Sequence, residues 1–184
     1  MRLHNQYKEM SFDKKLFLDF IGVIFAFIFL FLVEYVLYKM QGFSFFSSLR
    51  EGSSMPVIVF ISGMILGMAC EYVGQFSINW WYYPSIKVKK SLLLLLPIFW
   101  GIFILIMQDM YAIFRIFGFH SILAVAVSTF ITGCLIEGIN LYTKTWIYRG
   151  RGSHPLVLFF GWVILLSFFF VIGFNIHVIN PFGF

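Results

Sequence analysis

The sequence predicts an all-α integral membrane protein with five transmembrane helices. Its 184 residues are 61% hydrophobic, 22% aromatic and only 11% charged, and a soluble domain of this size would leave too much apolar surface in water. Several apolar runs reach the roughly 20 residues that a transmembrane helix needs. The runs are continuous and do not alternate as barrel strands do, which favours helices. We expect a single polytopic membrane domain over residues 1–184.

The first two spans follow a polar lead and are separated by one loop. Residues 1–15 are polar and basic, and the first span is expected at residues 16–38. This run is too long for the apolar part of a signal peptide and lacks a small-residue cleavage site, so we expect it to be retained. The second span is expected at residues 55–78, with Pro56 in its first turn, where proline is tolerated.

The remaining three spans alternate with short connections. The third is expected at residues 91–114, and a tight connection at Gly118 then leads to the fourth at residues 121–141. The fifth is expected at residues 155–178. Each of these runs is long enough to cross the hydrocarbon core once.

The positive charges indicate the orientation in the membrane. Of the 13 lysines and arginines, Lys39, Arg50 and Arg115 lie on one side, and the others lie in the N-terminal lead and in the loops at 79–90 and 142–154. The positive-inside rule then places the N-terminus in the cytoplasm. We expect a multi-pass protein of the cell membrane, the inner membrane if the cell is bacterial. The net charge of +5 comes from basic residues in short loops between apolar runs, where positive charge is a topology signal. No nucleic-acid partner is therefore expected.

A short pattern occurs twice, and each residue of the second copy follows its counterpart at the same distance along the chain. Both copies read G-x3-E-x8-W-x-Y, with Gly67, Glu71, Trp80 and Tyr82 in the first and Gly133, Glu137, Trp146 and Tyr148 in the second. The spans that carry them run in the same direction. We therefore expect a parallel internal repeat of spans 1–2 and 3–4, related by an axis along the membrane normal, with the fifth span added to it.

Two glutamates within spans are the expected catalytic residues. An acidic residue at a helix centre costs roughly 2.5–3.5 kcal/mol to insert, so Glu71 and Glu137 are expected to face the bundle interior. A buried carboxyl group that lacks a cation tends to keep its proton and can act as a general acid. In the structural alternative, each glutamate donates a hydrogen bond to a neighbouring helix and holds the bundle together.

Polar and aromatic neighbours of the glutamates are the expected substrate-binding residues. If helix persisted for three turns, Tyr82 and Tyr148 would lie below Glu71 and Glu137 on the same faces. Asp109 is a further candidate acid. The expected substrate-binding set is Gln75, Asn79, Trp80, Tyr82, Asn140, Trp146 and Tyr148. The W-x-Y clusters alone are also typical of an interfacial aromatic belt.

Neither a metal nor a cofactor is expected. The histidines are isolated, and Cys70 and Cys134 lie in separate apolar runs, so no clustered metal ligands are indicated. The G-x-G at Gly150 is too short and too basic for a nucleotide-binding loop, and it follows no predicted strand.

One stretch of the chain resembles a known family. Residues 67–102 contain Gly67, Glu71 and Gly74, followed by WYYP (81–84) and LLLPIFWG (94–101). This pattern resembles that of carotenoid hydratases and related integral membrane proteins that act on isoprenoids. The resemblance implies acid-initiated addition to, or cyclisation of, a polyene by a hydratase or a cyclase-type lyase or isomerase, with Glu71 as the acid. Glu137 enters only through the internal repeat.

These observations lead to one expected function and two alternatives. The expected function is a membrane enzyme that acts on an isoprenoid or another lipid-soluble substrate by general acid/base chemistry from Glu71 and Glu137. The first alternative is a small proton-coupled transporter, and the second is a non-catalytic subunit of a membrane complex. The expected partners are membrane lipid, a lipid-soluble small molecule, and either further copies of the chain or a membrane complex.

Overall fold

The protein is mostly helical in the computed structural model, which describes residues 11–84, 93–149, 160–164 and 167. Four of its helices are long and apolar enough to cross a membrane. The elements are α1 (Phe12–Gln41), α2 (Phe45–Arg50), α3 (Met55–Glu71), a π-helical segment (Tyr72–Ser77), β1 (Trp81–Tyr82), α4 (Leu95–Ile116), α5 (Ser121–Thr143) and β2 (Ile147–Tyr148).

Helix α1 begins and ends where local chemistry sets its limits. The Ser11 side chain accepts a hydrogen bond from the Lys14 backbone N–H, as an N-cap residue does. At the other end, Gly42 adopts a left-handed conformation with φ 73° and its N–H donates to the Tyr38 carbonyl. The helix is longer at both ends than the span expected at residues 16–38.

A short helix occupies part of the connection that follows. Ser44 and Ser47 form a capping box that starts α2. The backbone N–H of Phe46 donates to Oε2 of Glu34 at 3.0 Å, which ties α2 to α1. The sequence indicated only a loop here.

The second long helix changes its hydrogen-bonding pattern before it ends. Pro56 lies in the first turn of α3 as expected. The α-helix gives way after Glu71 to the π-helical segment Tyr72–Ser77, and Asn79 then adopts a left-handed conformation with φ 55°. Single π-helical turns are common at functional sites.

Helix α4 is the centre of the bundle. It packs against α1, α3 and α5, and 78% of its most apolar window is buried, against 22–33% for the other three long helices. Glycines allow α3 and α4 to approach closely, because a Cβ atom at Gly63 would lie 2.9 Å from Ile104, and one at Gly101 would lie 2.5 Å from Phe60. Among the four long helices, the exposed apolar surface is therefore contributed largely by α1, α3 and α5.

The two aromatic loops pair with each other. Strands β1 and β2 form a two-stranded antiparallel ribbon in which Trp81 is opposite Tyr148 and Tyr82 is opposite Ile147. The backbone N–H of Arg149 extends the pairing by donating to the Trp80 carbonyl at 2.7 Å. Both strands lie within segments that we expected to be loops.

The expected spans can be compared with the helices one by one. The first four correspond to α1, to α3 with its π-helical segment, to α4 and to α5, with ends that differ by up to four residues. Most of the fifth expected span, at residues 155–178, lies outside the described residues; residues 160–164 and 167 are helical. Helix does not persist below the glutamates, because it ends at Ser77 and at Thr143.

Candidate functional site

Glu71, the last residue of α3, is the centre of the site. Its side chain is only 2% exposed. Tyr83 Oη (2.6 Å) and Trp100 Nε1 (3.0 Å) donate to Oε1, whereas Gln75 Nε2 (2.8 Å) and Trp81 Nε1 (2.9 Å) donate to Oε2. All four donors are uncharged. A carboxylate has about four lone-pair positions, so these donors occupy both oxygens.

Three elements bring these donors together. Gln75 comes from the π-helical segment and Trp100 from the first turns of α4. Trp81 and Tyr83 alternate along β1 and its extension, so their side chains point to the same face of the ribbon. Tyr82, between them, points to the other face, where its ring lies 4.8 Å from the Arg149 guanidinium.

Two glycines make room for the indole rings. A Cβ atom at Gly67 would lie 2.0 Å from Trp100, and one at Gly74 would lie 1.8 Å from Trp81. Both distances are far below van der Waals contact. Glycine is therefore required at these positions for either tryptophan to reach Glu71.

Tyr83 lies in an environment that keeps its phenol protonated. The residue is 8% exposed. Burial raises the pKa of Tyr83 well above its usual range, and the neighbouring Glu71 carboxylate raises it further. Tyr83 is therefore a hydrogen-bond donor to Glu71 at every pH near neutrality.

Glu137 of α5 has a related but less complete set of partners. The Oη atom of Tyr148 (2.5 Å) and Nε1 of Trp162 (2.6 Å) both donate to its Oε1. The Asn140 side chain, one turn further along α5, also interacts with this carboxyl group, and its Oδ1 accepts the Trp146 backbone N–H at 3.0 Å. Glu137 is half-buried, unlike Glu71.

Aromatic rings lie between the two glutamates. The rings of Trp100 and Trp162, each bonded to one glutamate, have centroids 5.9 Å apart. On the ribbon side, Trp81 lies 6.3 Å from Tyr148. The described contacts therefore join the two carboxyl groups through pairs of rings.

A cavity of about 450 Å³ opens beside Glu71. Its walls are predominantly aromatic and aliphatic, and they include Trp81, Trp146, Tyr148 and Trp162. A second cavity of about 440 Å³, between the first half of α1 and the start of α4, shares Asp19, Tyr83, Leu96, Phe99 and Thr145 with it. A long apolar molecule could occupy both volumes.

Some of the expected site residues contact a glutamate, some line the cavity, and Asn79 lies at the end of the ribbon. Gln75 binds Glu71, and Tyr148 binds Glu137. Trp80 and Trp146 line the cavity, and Asn79 lies at the exposed end of the ribbon, hydrogen-bonded to Arg149. Tyr82 was expected below Glu71 only if helix persisted for three turns, and the helix ends at Ser77.

Four aromatic donors were not among the expected site residues: Trp81, Tyr83, Trp100 and Trp162. Trp81 and Tyr83 lie within WWYY. A helical periodicity predicts that Tyr82 faces Glu71, whereas the alternation of a strand predicts that Trp81 and Tyr83 do. Trp100 belongs to the segment that resembles the isoprenoid-acting family. No local pattern in the sequence linked Trp162 to Glu137.

None of the described hydrogen bonds joins Asp109 to Glu71 or to Glu137. It is fully buried on α4, and its carboxyl group lies within hydrogen-bonding reach of that of Glu34. Over the described part of the chain, no three histidine, cysteine or acidic side chains come together as metal ligands would.

No family model, curated protein or solved structure matches this chain.

Proposed function

We propose that this chain is an integral membrane enzyme that acts on an isoprenoid or another lipid-soluble substrate by general acid/base chemistry. The observation that carries the proposal is the apolar cavity with Glu71 among its lining residues. A site of this volume, lined by aromatic rings with a few convergent polar groups, is typical of small-molecule binding. Its adjoining cavity supports an elongated substrate.

The two glutamates suit different roles. Glu71 holds four donated hydrogen bonds, so it serves best as a fixed negative charge that stabilises positive charge developing on the substrate. Glu137 has fewer donors and is half-buried. It is therefore the better candidate for exchanging a proton.

Tyr148 would connect Glu137 to the cavity. Its hydroxyl group contacts Glu137, and its side chain lines the cavity wall. Burial, and then the nearby Glu137, raise the pKa of Tyr148, so the tyrosine is a poor final proton donor. In the proposed step Glu137 is protonated and its hydrogen bond with Tyr148 is reversed. Glu137 gives its proton to the Tyr148 oxygen as the Tyr148 proton moves to the substrate, which leaves a Glu137 carboxylate and a neutral tyrosine.

The proposed setting is the cell membrane, with five spans and the N-terminus in the cytoplasm. Four apolar helices of sufficient length support a membrane location. The fifth span and the orientation rest on the apolar run at residues 155–178 and on the distribution of lysine and arginine. In this orientation the β1–β2 ribbon lies at the cytoplasmic surface.

We also propose an internal repeat, but the contacts favour spans 2–3 and 4–5 over spans 1–2 and 3–4. The helical stretches Met55–Ser77 and Ser121–Thr143 have the same length, and the displacement that carries Gly67 onto Gly133 carries one stretch onto the other. Trp100 lies against Gly67 and donates to Glu71, and Trp162 lies against Gly133 and donates to Glu137. In this grouping α1 is the added element.

The ribbon register agrees with the same displacement. This displacement places Trp81 on Ile147 and Tyr82 on Tyr148. Exchanging the two units therefore converts the Trp81–Tyr148 pair of the ribbon into the Tyr82–Ile147 pair. Two parallel units related by an axis along the membrane normal would produce this self-complementary pairing.

The enzyme proposal is tested by comparing lipid extracts from cells that express wild type, Glu137→Gln or Glu71→Gln. We expect a lipid-soluble product in wild-type extracts that is absent from Glu137→Gln extracts, measured by mass spectrometry. The matched control is Glu51→Gln, which removes an exposed carboxylate away from the site. Identical extracts from all four strains would overturn the enzyme proposal.

A second candidate is a proton-coupled carrier. It is favoured by the acidic residues Asp13, Asp19 and Glu71, which line the two adjoining cavities. Intramembrane carboxyl groups often relay protons in transporters. In this case proteoliposomes should show a solute flux that depends on pH and that Glu137→Gln abolishes.

A further inference from the structure

We infer that the cavity beside Glu71 binds the positively charged group of a lipophilic cation, such as a long-chain quaternary ammonium compound. The inference rests on the proposed function, because both need an accessible cavity. It goes further by specifying that the bound molecule is positively charged. It applies whether the bound molecule is then modified or carried.

The first step is the charge of Glu71. Glu71 is 2% exposed, and all four hydrogen-bond donors to its carboxylate are neutral. Dipoles stabilise the anion without cancelling its charge. Of the described residues that line the cavity, none is a lysine, arginine or histidine. A cation that enters this volume therefore gains a charge partner in surroundings of low polarity.

The second step is the chemistry of the remaining wall. Trp81, Trp100, Trp146, Trp162 and Tyr83 all contribute to it. Aromatic faces attract cations within about 6 Å of the ring centroid, and cages of such rings bind quaternary ammonium groups. An alkylated ammonium group is also weakly hydrated, so it can leave water without forming hydrogen bonds of its own.

The third step concerns the rest of the ligand. The adjoining cavity is lined by apolar side chains of α1 and α4, including Phe17, Phe20 and Leu95. Asp19 lines both cavities and adds a second acidic group. The two volumes thus suit an apolar chain that ends in a positive charge, and they disfavour carboxylate, sulfonate or phosphate headgroups.

The test uses purified full-length protein in nanodiscs of uncharged lipid and three probes with the same dodecyl chain. One probe ends in trimethylammonium, one in the uncharged tert-butyl group of the same shape, and one in sulfonate. Binding is followed by quenching of tryptophan fluorescence, with empty nanodiscs to correct for partitioning into lipid. We expect the trimethylammonium probe to bind about tenfold more tightly than the tert-butyl probe, and the sulfonate probe to bind most weakly.

Two variants separate the charge from the aromatic wall. Glu71→Gln should abolish the preference for the cation, and the control Glu51→Gln should keep it. Because Glu71→Gln disturbs four hydrogen bonds and can impair folding, Trp146→Leu is the second variant: its ring lines the cavity but is not among the Glu71 donors. It should reduce the preference several-fold.

The outcomes distinguish this inference from the proposed function. Equal affinities of the cationic and uncharged probes for wild type would overturn the inference and leave the enzyme proposal standing. A clear cation preference together with identical lipid extracts would retain the inference and refute the enzyme proposal. No binding of any probe would also overturn the inference, while the lipid extracts would still decide the enzyme proposal.

Discussion

Trp100 and Trp162 lie against each other with ring centroids 5.9 Å apart, and each donates its indole N–H to a different glutamate. This pair connects the two carboxyl groups of the site across the bundle. Because a buried carboxylate is stabilised by each donor it keeps, the two indoles are the first side chains at which the arrangement can be tested.

Trp100→Phe should destabilise the protein. Phenylalanine keeps most of the apolar contact but leaves the buried Glu71 carboxylate one donor short, and we expect a loss of about 1.5–3 kcal/mol, the usual range for a hydrogen bond to a charged group. The measurement is the unfolding midpoint in detergent, followed by intrinsic fluorescence.

Trp162→Phe is the matched comparison, since it removes the corresponding donor from the half-buried Glu137. We expect a smaller loss there, because water can replace the missing donor. Equal losses in the two variants would contradict the different burial of the glutamates.

Gly67→Ala should be far more harmful than Gly138→Ala. The added methyl group at position 67 would lie 2.0 Å from Trp100, whereas none of the described atoms lies within 4 Å of the corresponding position at residue 138. Overpacking costs about 1–3 kcal/mol, and an exposed helical glycine replaced by alanine gains up to about 1 kcal/mol. The two variants should therefore shift the unfolding temperature in opposite directions.

The tyrosines beside the glutamates should ionise late. The chain has nine tyrosines, and the pKa values of Tyr83 and Tyr148 are raised, first by burial and then by the adjacent glutamate. An alkaline titration of phenolate absorbance should show these two still protonated in the folded protein after the exposed tyrosines ionise. Tyr83→Phe and Tyr148→Phe should each remove one late group.

The same shifts predict how stability depends on alkaline pH. Unfolded tyrosine has a pKa of about 10, so below that pH both states hold the proton and the contribution of Tyr83 and Tyr148 is fully present. Above it, the unfolded state releases protons that the folded state keeps, and stability falls as pH rises toward the folded pKa values. A stability that rose between pH 10 and 12 would contradict this assignment.

Asp109→Asn should stabilise the protein. The Asp109 carboxyl group is fully buried and lies close to that of Glu34, so two acidic groups share one buried position. An asparagine amide removes the buried acidic group and supplies a donor to Glu34. We expect a gain of about 1–3 kcal/mol in the free energy of unfolding, with Glu51→Gln as a control that should change little.

The helices were predictable and the ribbon was not, for a physical reason. Long apolar runs identify helices such as α4 and α5 because each span satisfies its own backbone hydrogen bonds. The pairing of Trp81 with Tyr148 joins segments that are separated in the chain by α4 and α5, and no local pattern encodes such a contact. The segment WWYY therefore indicated only an interfacial loop.

The candidate site was predictable in its acids and not in their partners. Glu71 and Glu137 stand out because an ionisable residue inside a span is costly. Their donors depend on where the helix ends and on which helix lies alongside, as with Trp100 of α4. A helical period extended from Glu71 leads to Tyr82, whereas this segment alternates as a strand does, and Trp81 and Tyr83 contact the glutamate.

The π-helical segment at Tyr72–Ser77 bears on how this chain tolerates changes in length. A π-helical turn holds one residue more than an α-helical turn. Deleting one residue there would restore the ordinary turn and exchange the two faces of β1, which would bring Tyr82 toward Glu71 and turn Trp81 and Tyr83 away. A change of length in this segment therefore alters which side chains of β1 face Glu71, an effect that no single substitution in the segment would have.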